Sequence, residues 1–215
     1  MTHLKFLLFA VLTFSLLSCE KELLEVENEK ITLSNEGIAF IKASSGSSIN
    51  YTSENRFIAT VNEKGMVSAN HIGETNIIVE SDGILVSVPV EVKAAYNYDT
   101  EPELNWTWDS TEIKKKFGEP TYRSNNEFTY YTSDDILNFG QIKYEFDNTG
   151  KVCEISWGVK ASGVNFMKYI TERYLYLDER FDNYIYINAM TRSEASLQVE
   201  VGYGLSFCWV YYTPL

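Results

Sequence analysis

The spacing of apolar residues changes character twice along this chain. Residues 6–17 form one apolar run, broken only by Thr13 and Ser15. Between residues 30 and 94 the apolar positions alternate with polar ones in short runs, at 30–33, 38–41, 75–80 and 84–92. Such a period of two predicts strands with one buried face, and no helical period competes with it. Gly37, Gly46, Gly65, Gly73 and Gly83 fall between the runs, where turns are needed. The pattern predicts a small β-sandwich. Pro89 inside the last run predicts an edge position or a bulge, because proline cannot donate to a ladder.

Beyond residue 105 the pattern mixes both periods. Asp109 as N-cap and Glu112 three residues on predict a capping box. Ile113 and Phe117 then share one helix face, and Lys114, Lys115 and Lys116 suit the last turn. Gly118 and Pro120 end the helix. Residues 128–132, 140–147 and 151–159 read as strands, with Asp147-Asn148-Thr149-Gly150 as a turn. A second helix is predicted over 164–177 from Phe166, Met167, Ile170 and Tyr174, followed by strands at 184–189, 196–201 and 205–212. The predicted class is therefore two domains, an all-β sandwich and an α+β domain. The latter has two helix-plus-three-strand units, one antiparallel sheet and helices on one face. The expected boundaries are a targeting segment 1–18, an acidic tether 19–29, the sandwich 30–94, a linker 95–105 and the α+β domain 106–215.

The run at 6–17 is too short to span a bilayer and has the flanks of a signal peptide, with Lys5 before it and small Ser18 after it. Leu16-Leu17-Ser18-Cys19 resembles the bacterial lipoprotein box. That resemblance implies cleavage before Cys19 and acylation of its thiol and new amino group, hence a membrane partner through lipid on Cys19. An acidic stretch just after the lipid cysteine resembles the export signal of Bacteroidetes surface lipoproteins, which Cys19-Glu20-Lys21-Glu22 matches imperfectly. This favours the outer face of the outer membrane over the periplasmic face. After residue 18 the chain keeps all 30 acidic residues and loses only Lys5 of 18 basic ones, leaving 17 and a formal charge of −13. Nucleic-acid binding needs clustered Lys and Arg, so that partner is excluded.

Ser53-Glu54-Asn55, Ile58-Ala59-Thr60-Val61-Asn62, Gly65-Met66-Val67-Ser68-Ala69 and Gly73-Glu74-Thr75 run in order, followed by Ile77-Ile78-Val79. This set resembles the bacterial Ig-like domain, group 2, which implies a spacer or adhesive module of surface proteins. In the second domain, Gly118-Glu119-Pro120 and Phe146-Asp147-Asn148-Thr149-Gly150-Lys151-Val152 resemble the helix-then-hairpin unit of SmpA/OmlA-type assembly lipoproteins. The tandem arrangement resembles the β-lactamase-inhibitor-protein fold, which implies a protein-binding sheet surface.

All four tryptophans and 14 of the 15 tyrosines lie beyond residue 95. Tyr130-Tyr131, Tyr184-Ile185-Tyr186 and Trp209-Val210-Tyr211-Tyr212 place neighbouring rings on opposite faces of a strand. One face can pack on the helices while the other presents tyrosines to a protein or glycan. The candidate binding face is therefore Tyr130, Tyr131, Tyr184, Tyr186, Tyr211 and Tyr212. Half-burial of strand-favouring tyrosine is the competing explanation. His71 is the one histidine after residue 18 and reads as a surface residue near a turn. Without histidine in the second domain, Ser-His-Asp, Cys-His and histidine–zinc chemistry are not available there. No catalytic, metal or cofactor residues are expected. Asp134, Asp135, Asp178, Glu179 and Asp182 could supply a glycosidase pair, against the reading that they are solvated surface. Cys153 and Cys208 are a possible disulfide, or two reduced core thiols. The sequence thus favours a non-enzymatic, lipid-anchored envelope protein. A carboxylate-dependent glycan-active enzyme and a structural envelope-assembly role are the rivals.

Overall fold

A computed structural model describes residues 23–98, 100–132, 140–161, 163–204 and 207–215. The targeting segment, Cys19, Asp134 and Asp135 lie outside them. No described helix is long and apolar enough to cross a membrane.

The first domain is a sandwich, as the alternation requires. Its strands are β1 (Glu25–Val26), β2 (Ile31–Ser34), β3 (Ile38–Phe40), β4 (Ala43–Ser44), β5 (Asn50–Ser53), β6 (Ala59–Val61), β7 (Met66–Ala69), β8 (Gly73–Ser81) and β9 (Ile84–Lys93). One sheet has the order β2-β9-β8-β5 and the other β3-β7-β6, with β1 and β4 as a separate pair. Ile31, Ala59, Val67, Ile77, Val79, Val88 and Val90 form the shared core. The β6–β7 hairpin turns at Gly65, whose φ of 73° is left-handed. A side chain there would be strained and would meet the Tyr51 ring at 3.0 Å. Two boundaries differ from expectation. Glu25 and Val26 already pair with Ser44 and Ala43, and Leu24 packs against the core, so the expected tether's last residues belong to the sandwich. Pro89 lies on β9, which is flanked by β2 and β8. The β2 pairing reaches only Val90, so Pro89 is locally at an edge and its missing N–H is not needed.

The second domain is built on one sheet of eight strands. Helix α1 (Ser110–Phe117) precedes β10 (Tyr122–Arg123), β11 (Glu127–Tyr131), β12 (Gln141–Phe146) and β13 (Val152–Val159). Helix α2 (Gly163–Thr171) precedes β14 (Leu175–Arg180), β15 (Asn183–Ile187), β16 (Leu197–Tyr203) and β17 (Cys208–Pro214). The sheet order is β10-β11-β12-β13-β17-β16-β15-β14, antiparallel throughout. Each helix is thus followed by four strands rather than three, and the two meanders meet through their last strands. The extra strands are the two edges. The second was hidden because the predicted helix ran to 177, whereas α2 ends at Thr171 and Leu175 begins β14. The first helix behaves as its sequence dictates. The Asp109 carboxylate accepts from the Thr111 and Glu112 N–H groups while Glu112 accepts from the Asp109 N–H.

The possible disulfide is not formed. Cys153 and Cys208 are free thiols. Both sit near the start of their strands, and β13 and β17 run antiparallel, so the two starts lie at opposite ends. Cys208 pairs in register with Val159, six residues of strand from Cys153 and so roughly 20 Å away.

The linker is not free either. Tyr96, Tyr98 and Leu104 pack on the second core, and the Tyr98 ring meets Trp157, Phe166 and Tyr169 at centroid distances of 5.8, 5.4 and 5.1 Å. Glu172, 1 % exposed just past α2, accepts the Ala95 and Tyr96 N–H groups, each at 3.0 Å, one on each carboxylate oxygen. Its carbonyl accepts the Ile72 N–H of the first domain at 2.8 Å. Arg173 bonds the Glu172 carboxylate at 2.6 Å, lies 3.8 Å over the Tyr169 ring and donates to Asn97. Substituting Glu172→Ala leaves buried Arg173 only the longer contact with Glu101, 3.7 Å away, and frees two linker N–H groups, a loss of about 3–5 kcal/mol. Denaturant unfolding of the full chain should show this loss, and limited proteolysis should newly cleave residues 95–105.

Candidate functional site

Parity along the strands sorts the sheet into two faces. Cross-strand partners point the same way. Phe128, Tyr130, Tyr144, Ile155, Trp157, Tyr212, Val210, Val199, Tyr186 and Tyr184 belong to the face that meets Ile113 of α1 and Phe166, Tyr169 and Ile170 of α2. Four of the six tyrosines expected to bind therefore lie on the helix side. Tyr186 and Tyr212 are buried there, and Tyr130 and Tyr184 are half-buried against the core. Tyr130 donates its hydroxyl to the Gly118 carbonyl, which ties β11 to the end of α1.

The opposite face carries Tyr131 and Tyr211, and no described helix packs on it. One row crosses the sheet as Tyr131, Gln141, Gly158, Trp209, Gly202 and Asn183. The next row is Thr129, Lys143, Ser156, Tyr211, Glu200 and Ile185. Trp209 thus stands between two glycines, on β13 and β16. A side chain at Gly158 would lie 2.8 Å from the indole ring, so the ring rests against that backbone. Half-exposed Trp209 and Tyr211 form an aromatic platform two residues apart on β17.

Carboxylates surround the platform. Glu145 and Glu154 are direct cross-strand partners, and Glu200 is the partner of Tyr211. Burial raises the Glu154 carboxyl above its usual range, and the Glu145 and Glu200 charges add to the shift. Burial, then Glu154 and Glu200, likewise raise the Tyr211 phenol. Lys143 on this face is engaged 3.6 Å from Glu127, and Arg180, the strand partner of Asn183, lies 3.6 Å from Asp178. Asn183 donates to Glu200 at 2.6 Å. In the sequence Trp209 stands within the string Trp209-Val210-Tyr211-Tyr212, and the glycines beside it come from the flanking strands β13 and β16.

Of the carboxylates considered for acid–base work, the three described ones are not assembled into a cleft. Asp178, Glu179 and Asp182 are exposed on the β14–β15 edge hairpin. No group of three or more His, Cys, Asp and Glu suited to a metal ion exists among the described residues. His71 departs from its expected surface position. It is 7 % exposed, stacked on Phe57 at 4.0 Å, with Nδ1 2.8 Å from the Phe57 carbonyl.

Residues 27–84 match the family model of the bacterial Ig-like domain (group 2) and form such a domain. A search of curated proteins returns no match. Among solved structures, the chain is similar to surface layer protein SbsC, domains 1–6, with 15% identity over 90% of this chain and 21% of that one, TM-score 0.33. It is also similar to an intimin mutant of EHEC O157:H7, with 19% identity over 57% and 87%, TM-score 0.31. SbsC domains 5–6 give 15% identity over 91% and 84%, TM-score 0.30. The chain spans about a fifth of the length of the first of these.

Two outcomes follow from this geometry. Gly158→Val should displace the Trp209 indole, seen as a red-shifted, more quenchable tryptophan emission, with destabilisation of about 1–3 kcal/mol from overpacking. Burial lowers the His71 pKa from its ordinary 6.5. The unfolded chain therefore binds the extra proton more readily, and stability falls as pH drops from about 6.5 toward the folded pKa, then levels off. Thermal melts across pH 5–8 (about that range) should show this loss in the wild type and not in His71→Gln.

Proposed function

We propose that this protein is a non-enzymatic, lipid-anchored component of the cell envelope that binds a protein or glycan through the helix-free face of its eight-stranded sheet. The carrying observation is the half-exposed Trp209–Tyr211 platform on that face, with the indole lying over the Gly158 backbone. Aromatic rings with flanking amides and carboxylates are the side chains enriched where proteins meet partners. The lipoprotein-box resemblance at Cys19 supports anchoring in the outer membrane, with the cell surface favoured. The order along the chain makes the Ig-like domain the spacer nearest the lipid. The Glu172 contacts support a spacer that holds the binding domain in one orientation.

The anchor is tested by Cys19→Ala, which should move the protein from the membrane to the soluble fraction of its host. Retention of the variant on membranes overturns the lipid assignment. The face is tested with the full chain on glycan and peptide arrays. Binding should fall at least about tenfold in Trp209→Ala/Tyr211→Ala. Undiminished binding by that variant, or no binding by the wild type, overturns the assignment of the face.

A further inference from the structure

We infer that the occupant of the helix-free face is a cationic protein segment, whose lysine or arginine side chains seat between the Trp209–Tyr211 platform and the Glu145, Glu154 and Glu200 carboxylates. The inference rests on the reading of that face as a binding surface and adds the chemistry of its partner.

The argument starts from a pairing that a sheet ordinarily avoids. Glu145 on β12 and Glu154 on β13 are in direct register, and like charges so placed repel. Both are half-buried, so water screens them less than at an open surface. A third carboxylate, Glu200, reaches the same neighbourhood from β16, with Tyr211 between it and Glu154. No cation of the described residues pairs with Glu145 or Glu154, because Lys143 is drawn to Glu127 on the outer side of the sheet. Within the chain this arrangement is repulsive.

A cation supplied from outside reverses the sign of every one of these terms. It meets two or three carboxylates with the Tyr211 phenol in the adjacent row, and the Trp209 indole one row further along the strand. Ring faces attract ammonium and guanidinium groups by about 0.5–2 kcal/mol as the site becomes desolvated. Charge and ring quadrupole thus select the same ligand chemistry. A neutral glycan would stack on Trp209 but leave the Glu145–Glu154 repulsion in place. The row along Gly158 and Gly202 is covered by the Trp209 ring and the Asn183 amide, so a chain crossing the sheet there meets an aromatic and an amide.

The test uses the full chain and oligolysine, followed by titration calorimetry and tryptophan emission at two ionic strengths. Binding should weaken as salt rises. Glu145→Gln/Glu154→Gln should lower affinity about tenfold, one RT ln 10 step of about 1.4 kcal/mol. Glu29→Gln/Glu63→Gln removes two charges from exposed positions of the first domain and should leave affinity unchanged. Equal weakening by both double variants would show diffuse attraction to an acidic protein and overturn the inference. So would oligolysine binding that survives Trp209→Ala undiminished. A neutral oligosaccharide that quenches tryptophan emission through Trp209, where oligolysine does not bind, overturns the cationic partner while leaving the binding face standing. Loss of both ligands' binding sinks the face as well.

Discussion

The carboxylate of Glu172 is the point on which the arrangement of this chain depends. It sits just past the C-terminal end of α2, where the helix dipole disfavours negative charge, and it is almost wholly buried. An isolated charge could not remain there. Two successive linker N–H groups and the Arg173 guanidinium offset the cost, and each of those donors is fixed by doing so. The Glu172 main chain meanwhile accepts from Ile72 in the sandwich. One residue therefore couples α2, the linker and the first domain. The linker cannot swing without leaving a buried ion pair half-satisfied, which is the sort of defect proteins do not tolerate cheaply.

From that fixed helix the rest of the second domain follows by parity. α2 presents Phe166, Tyr169 and Ile170 to the sheet, and these choose which alternate residues of each strand are inside. Tyr98 completes the aromatic cluster from the linker, so the segment clamped by Glu172 also contributes to the core. The other parity is left to solvent or to a partner. Both faces are rich in rings, but their roles differ. On the helix side the tyrosines fill volume. On the free side Trp209 and Tyr211 cover backbone and leave ring area uncovered.

Local chemistry was legible in the sequence, and long-range placement was not. The Asp109–Glu112 box, the Gly65 hairpin and the alternation of the sandwich are each decided within a few residues, and each appears where the pattern puts it. Tyrosine doublets announced that one ring would face in and one out, yet parity alone could not say which. That depends on where the helices pack. Glu172 carries no local signal of its role, because the linker N–H groups it binds are 77 and 76 positions upstream in the chain. His71 read as exposed for the same reason, since Phe57 covers it from another loop. The helical pattern runs on into β14 because Tyr174 and Leu175 continue an apolar run across the true boundary.

The two faces also differ in what they leave unsatisfied. Packing on the helix side brings large rings into contact, and what it leaves unmet is polar: Trp157 Nε1 and the Tyr169 and Tyr212 hydroxyls are buried without hydrogen-bond partners among the described residues. The free face carries three features of another kind: a like-charge pair in register, glycines at interior strand positions, and a large indole left half-covered. Each lowers the intrinsic stability of the sheet, since glycine loses most entropy on ordering and opposed carboxylates repel. A like-charge pair in register beside half-covered aromatic rings points to a surface shaped by something outside the chain. The clamp at Glu172 then has a second consequence. By holding the domain in one attitude to the sandwich, it holds that surface in one attitude to whatever carries the first domain.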